Sequence, residues 1–280
     1  MKNKKSIILL SVILSMSSSI FAAEDVLSYR DFLPEIIKRD AALRPYVKTL
    51  ISRSDLPEKV ELFSTIETPE SFRALDFKGL LKGMFGEKAW MPPVYQFKDI
   101  DLQGLFQPYF YKDPALDAQM IFLANVLYAA GDMLYQQTGN SIHLEHAASI
   151  GHADAQFKMF LIAFKAQKQE EAKNYLFCSA AQGYIPALYA LSTVFEGYRQ
   201  IGVPKDLRVA KALCQEAADL GDQEAIFVIN VATLTEGTFG SQKNFQQGVR
   251  IAKELADGGN THAQSFLEAI MKSSGDALQE

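Results

Sequence analysis

The sequence predicts an all-α protein: a superhelical solenoid of stacked helix pairs, preceded by an N-terminal helical cap region. Three observations predict it. One helix–turn–helix unit recurs along the second half of the chain, with glycine and alanine in fixed columns. Within each unit the apolar residues follow a helical period. Each unit carries a turn glycine at the same place. A single pair of this kind cannot bury its apolar face alone, whereas stacked neighbours can.

The unit is clearest at GVPKDLRVAKALCQEAADLGDQEA, from Gly202 to Ala225. Val203-Pro204-Lys205-Asp206 reads as a turn, with Asp206 as N-cap. From Leu207 to Leu220, Val209, Ala210, Leu213, Ala217 and Leu220 mark one helix face. Gly221 then supplies a left-handed stop. Gly151, Gly183, Gly221 and Gly259 fall in register at spacings of 32, 38 and 38 residues. Four residues after each stand Ala155, Ala187, Ala225 and Ala263, and three before each stand Ala148, Ala180, Ala218 and Ala256. Eight residues after stand Met159, Leu191, Ile229 and Leu267. Six residues after, Phe157, Tyr189 and Phe227 are aromatic and Ser265 is not. Small alanines on facing helices permit close approach, and the larger residues interlock beside them. A worn fifth unit begins with Pro114 in the glycine's place, followed by Ala118, Met120 and Phe122.

The stretches LEHAASIGHADAQF, FCSAAQGYIPALYALSTVFEG, IGVPKDLRVAKALCQEAADLGDQEAIF and IAKELADGGNTHAQ carry a resemblance to the Sel1-like repeat, a relative of the tetratricopeptide repeat. It covers about residues 112–272. The 151–183 unit lacks that family's G-V-x-x-D loop, and the 221–259 unit has TFGSQKNF in its place. Tyr175, Leu213 and Ile251 stand where the family often has tryptophan. The resemblance implies a right-handed superhelix. It also implies that similar exported proteins of Gram-negative bacteria act in envelope regulation or at the host interface.

Residues 1–23 read as a secretory signal peptide. Lys2, Lys4 and Lys5 form the basic start, Ile7 to Ile20 is the apolar run, and Ala22 and Ala23 offer a cleavage site. The expected localisation is therefore exported, periplasmic or secreted, with no membrane span after signal cleavage. Cleavage removes three of the 28 basic residues, leaving 25 against 33 acids, a net charge of −8. That balance speaks against nucleic acid as a partner.

Residues 24–111 form the cap region. Helical patterns run through Val26, Phe32, Ile36, Ile37, Leu43, Val47 and Leu50, and again through Phe72, Leu75, Leu80, Leu81 and Phe85, with Gly83 and Gly86 ending the second. Residues 89–114 read as an aromatic, proline-containing loop. It packs on the first repeat and closes that end, or it forms a ligand patch. The first reading is favoured because exposed patches of that size are rare. On the second, Trp90, Tyr95, Phe97, Tyr109 and Tyr111 are the candidate partner-binding residues. Residues 273–280 form a polar tail.

His143, His146 and His152 lie close in sequence but match no closed zinc spacing, so no metal or other cofactor is expected. Cys178 and Cys214 stand five and seven residues before successive turn glycines, on the second helices of adjacent units. An even cysteine count in an exported chain invites a disulfide, and burial as small core residues accounts for them equally. No catalytic residue is identified, because no nucleophile elbow, phosphate loop, zincin helix or dinucleotide fingerprint appears. The expected function is a non-enzymatic scaffold for a protein or peptide partner, with oligomeric state left open. The alternative is a cell-wall or β-lactam-related hydrolase, of the cysteine-containing kind that the resemblance brings in.

Overall fold

In the computed structural model the described residues are 76–92, 95–109 and 118–276, with positions 42, 43, 45–47 and 49. The signal peptide, Tyr111, Pro114 and the last four residues of the polar tail lie outside them. The described residues form helices and turns with no strand. The order is α1 (Phe77–Phe85), α2 (Ile100–Phe106), α3 (Ala118–Thr138), α4 (Ile142–Ile150), α5 (Ala153–Lys165), α6 (Gln169–Ala181), α7 (Ile185–Glu196) and α8 (Leu207–Asp219). Then come α9 (Gln223–Phe227), a π-helical turn (Val228–Ala232), α10 (Thr233–Thr235), α11 (Phe245–Asp257) and α12 (Thr261–Asp276). From α3 onward each helix packs against the next, so the helices form adjacent pairs.

The turn glycines explain the pairing. Gly151, Gly183, Gly221 and Gly259 have φ of 110°, 72°, 95° and 89°, where a Cβ is strained. Each glycine N–H donates to the carbonyl of the alanine three residues before it, Ala148, Ala180, Ala218 and Ala256, at 2.9–3.0 Å. The residue after each glycine donates its own N–H five residues back, at 2.9–3.4 Å. This is a Schellman stop. The same residue then starts the next helix. His152 Nδ1, Asp222 Oδ1 and Asn260 Oδ1 accept from the N–H of Ala155, Ala225 and Ala263 at 3.4, 2.7 and 2.9 Å. Tyr184 has no side-chain cap, and Pro186 in the first turn serves instead. Ala155, Ala187, Ala225 and Ala263 are all fully buried. Two glutamines, Gln156 and Gln264, reach back to the carbonyls of Ala148 and Ala256, both at 3.1 Å. The turn is thus a self-contained module that ends one helix and begins the next.

Where the 151–183 unit lacks a loop, α5 joins α6 through a tight turn with Gln167 at φ 60°. Asp206 caps α8 as expected, accepting from Arg208 and Val209 N–H at 2.9 and 3.1 Å. Gly83 lies inside α1 rather than ending it, and Gly86 at φ 56° is the stop. The 89–109 segment is not all loop. Asp99 accepts from Asp101 and Leu102 N–H at 2.8 and 3.3 Å and starts α2, which buries Leu102 and Phe106 one turn apart. The helix after Gly221 is interrupted by its π turn, where Asn230 and Thr233 side chains bond to the carbonyls of Ile226 and Ile229.

Candidate functional site

The aromatic segment from Trp90 to Tyr109 is a strap laid across successive pairs, not a plug at one end. Asn125, on α3, brackets one residue of it. Its Oδ1 accepts from Trp90 N–H at 2.7 Å and its Nδ2 donates to Trp90 O at 2.9 Å. The Trp90 indole N–H donates to Gln182 Oε1 at 3.1 Å, and its ring lies 5.1 Å from His152. Gln182 Nε2 in turn donates to Gly151 O and Gln156 Oε1, both at 2.8 Å. Tyr95 lies against Gly183, where an added Cβ would come within 2.5 Å of its ring, and its hydroxyl donates to Glu216 Oε1 at 2.5 Å. Phe97 stacks on Phe106 at 4.5 Å, and Phe106 and Tyr109 rest on Phe177 of α6. Two ion pairs finish the strap at its exposed edge: Lys98 with Asp219 at 2.7 Å, and Arg208 with Asp101 at 3.2 Å.

Of the candidate partner-binding residues, Trp90 and Phe97 are therefore buried inside the chain. Tyr95 and Tyr109 are half-buried and committed to internal contacts. The sequence reading missed the anchors Asn125, Gln182 and Glu216. Asn125 carried a signal, a lone polar residue in the apolar run MIFLANVLYAA.

The helices that follow the turn glycines, α5, α7, α9 and α12, present a different surface. It begins on α3, where Tyr128 stacks on His152 at 4.4 Å and lies 5.6 Å from Lys158 Nζ. Lys158 also pairs with Asp132. Tyr184 donates to Asp154 Oδ1 at 3.0 Å. The aromatic residues six after each glycine bridge to the start of the next such helix. Phe157 meets Tyr184 at 5.6 Å, Tyr189 hydrogen-bonds Glu224, and Phe227 faces His262 at 6.4 Å. Phe157, Tyr189 and Phe227 are each half-buried. Burial, and then Glu224, push the Tyr189 hydroxyl above the usual tyrosine range. Burial first raises the Asp154 carboxyl too, and Tyr184 and Lys158 only partly offset it.

The histidines do not converge on a metal. His143 and His146 sit 6.0 Å apart on α4, and His152 is buried between Trp90 and Tyr128. Among the described residues no group of three or more histidine, cysteine or acidic side chains could hold an ion. Desolvation pushes His152 down to about 3. A depressed histidine contributes stability above its unfolded value of about 6.5 and loses it as pH falls toward the folded value. Asp154, Glu145 and Glu196 are raised by burial and act oppositely, contributing stability that is lost as pH rises through their folded values. A difference measurement separates the two. His152→Asn keeps a capping acceptor, so its stability is expected to overtake the wild-type value as pH falls below about 6.5, at up to about 1.4 kcal/mol per unit. Paired urea titrations at several pH values check this. Parallel profiles would refute the role of His152.

Cys178 and Cys214 are both free thiols in this structure. They sit on α6 and α8, with α7 packed between those helices in the chain order. Cys214 Sγ turns toward Ala225 O, 3.9 Å away on α9. Burial pushes Cys178 up to about 11 and Cys214 up to about 12, so both remain protonated and unreactive at neutral pH. No helix among the described residues is long and apolar enough to cross a membrane. Comparison with known proteins leaves this geometry to speak for itself: no family model, curated protein or solved structure matches the chain.

Proposed function

We propose that this chain is an exported, non-enzymatic scaffold, a solenoid of Sel1-like helix pairs that binds a protein or peptide partner in the bacterial envelope or at the host interface. One observation carries the reading. The half-buried Tyr128, Asp154, Phe157, Tyr189 and Phe227, with the exposed Glu224, run along consecutive helices that share one orientation in the unit. Half-buried rings already held against a neighbour lose little entropy on binding, which suits a recognition surface. In a solenoid these helices form the inner wall, where an extended partner contacts several units at once.

Deleting 24–111 cannot test this, because it strips Trp90, Phe97 and Phe106 from the core. Point substitutions can. Cross-linked capture from cell envelopes with residues 24–280 is expected to enrich a discrete partner. Purified, that partner should bind the Tyr189→Ala, Glu224→Lys double variant at least about tenfold more weakly, with unchanged helicity. Equal affinity for the variant would overturn the assignment of this face. Hydrolysis of nitrocefin or cell wall by the purified chain would overturn the scaffold reading itself.

A further inference from the structure

The strap docks on a set of residues that the repeat presents again one unit farther along. The units from Gly183 to Gly221 and from Gly221 to Gly259 are both 38 residues long. The helices that close them, α8 (Leu207–Asp219) and α11 (Phe245–Asp257), start and stop at the same offsets, behind the capping side chains of Asp206 and Asn244. Gly183 therefore corresponds to Gly221, and Glu216 and Asp219 on α8 correspond to Glu254 and Asp257 on α11. In the first of these units the strap takes the place. The Tyr95 ring lies against Gly183, the Tyr95 hydroxyl donates to Glu216 Oε1, and Lys98 pairs with Asp219. Glu216 is only 5% exposed. After Lys98 the chain turns into α2, which packs on α6 and α8.

In the second unit the same residues face solvent. Among the described residues, nothing lies within 4 Å of where a Gly221 Cβ would stand. Glu254 and Asp257 are exposed, and Leu220, next to the glycine, is 38% exposed. Neither carboxylate makes an ion pair with a described residue. Two acids in the last turn of a helix stand at its negative pole, where a cation is favoured. On α8 Lys98 of the strap is that cation, whereas the last turn of α11 has no basic residue.

We infer that the edge formed by Gly221 and α11 binds a segment of a partner protein that carries a tyrosine and, three residues later, a lysine or arginine. The strap sets that chemistry. The partner's ring rests against the side-chain-free turn and Leu220, its hydroxyl donates to Glu254, and its cation pairs with Asp257. The glycine permits the approach, as Gly183 does for Tyr95. A second copy of this chain fits the place less well, because its own Tyr95 and Lys98 are committed to its own α8. The edge is distinct from the rings of Tyr128, Phe157, Tyr189 and Phe227, so binding there stands or falls separately from the scaffold reading.

A synthetic peptide copying residues 92–99 of the strap is the probe, titrated into isotope-labelled residues 24–280 and followed by amide chemical shifts. The Gly221, Glu254 and Asp257 signals are expected to shift saturably, with dissociation at about 0.1–1 millimolar, the strength of one ring and two exposed polar contacts. A peptide with Tyr95→Ala should bind at least about tenfold more weakly. Asp257→Lys in the protein, at an exposed position, should weaken the unchanged peptide about fivefold, and a peptide with Lys98→Glu should recover that loss on the same variant. No saturable shift up to about 5 millimolar peptide, or binding indifferent to both charge changes, would overturn the proposal. Shifts at Gly183 and Glu216 in place of Gly221 would mean that the peptide merely displaces the strap, and would overturn it equally. Shifts at Gly221 that grow with protein concentration alone would give the edge to a second copy and overturn a separate partner.

Discussion

Phe106→Ala is expected to cost about 3–5 kcal/mol, a large share of the stability of an ordinary domain. Phe106 is fully buried, on a helix of only seven residues that cannot hold together by itself. Its ring is stacked on Phe97 and tilted against Phe177 of α6. Truncation therefore opens a cavity between the strap and the repeats, and α2 loses the contact that fixes its position. The effect should be cooperative, because Trp90 is pinned to the repeats through Asn125 and Gln182, and Phe97 through Phe106 itself. Chemical denaturation of the variant against wild type measures the loss. An effect below about 1 kcal/mol would mean that the strap is a loosely attached arm rather than part of the core. The exposed ion pairs beside it serve as the internal contrast. Lys98→Ala removes a contact between exposed side chains and should leave stability close to the wild-type value.

Gly183→Ala should destabilise by about 3 kcal/mol or more, whereas Gly221→Ala should cost about 1–2 kcal/mol. The two glycines hold the same place in the unit and both have positive φ, 72° and 95°. The backbone strain of a methyl group is therefore similar at each. The difference lies in what the methyl would meet. At Gly221 nothing lies within 4 Å, while at Gly183 it would come within 2.5 Å of the Tyr95 ring. That ring cannot swing aside cheaply, since its hydroxyl is held by Glu216 and its edge by Phe97. The ranking is the informative result. Equal losses at the two sites would show that the strap does not press on the 183 turn. Replacing Tyr95 by Ala in the Gly183→Ala background should recover part of the loss, because it removes the clash and leaves only the strain.

The repeat, its turns and its helices were legible because their causes are local. A glycine that must adopt positive φ, a small residue at a helix crossing and a capping side chain one residue later each act within a few positions of the chain. Their recurrence at Gly151, Gly183, Gly221 and Gly259 makes the pattern readable without coordinates. Even so, the shared role of His152, Asp222 and Asn260 as N-caps was not read, because three different side chains do the same work. The helix α2 was also missed. Its signal, Asp99 ahead of Leu102 and Phe106, was hidden in a segment whose prolines and aromatic rings suggested a loop.

What the sequence alone determined is the all-helical class, the position of the turns and the apolar face of each unit, all set by short-range periodicity. Only the tertiary structure decided where the aromatic segment goes. Trp90 meets Gln182 across 92 residues and Tyr95 meets Glu216 across 121. No spacing rule encodes contacts of that range, and the same rings could have served a partner or the chain's own core. The structure also places the two cysteines apart, as free thiols on α6 and α8. Whether two thiols can bridge depends on how their helices are placed, and Cys214 turns toward α9. Burial is the common reason: it is a property of what surrounds a side chain, and those neighbours come from everywhere in the chain.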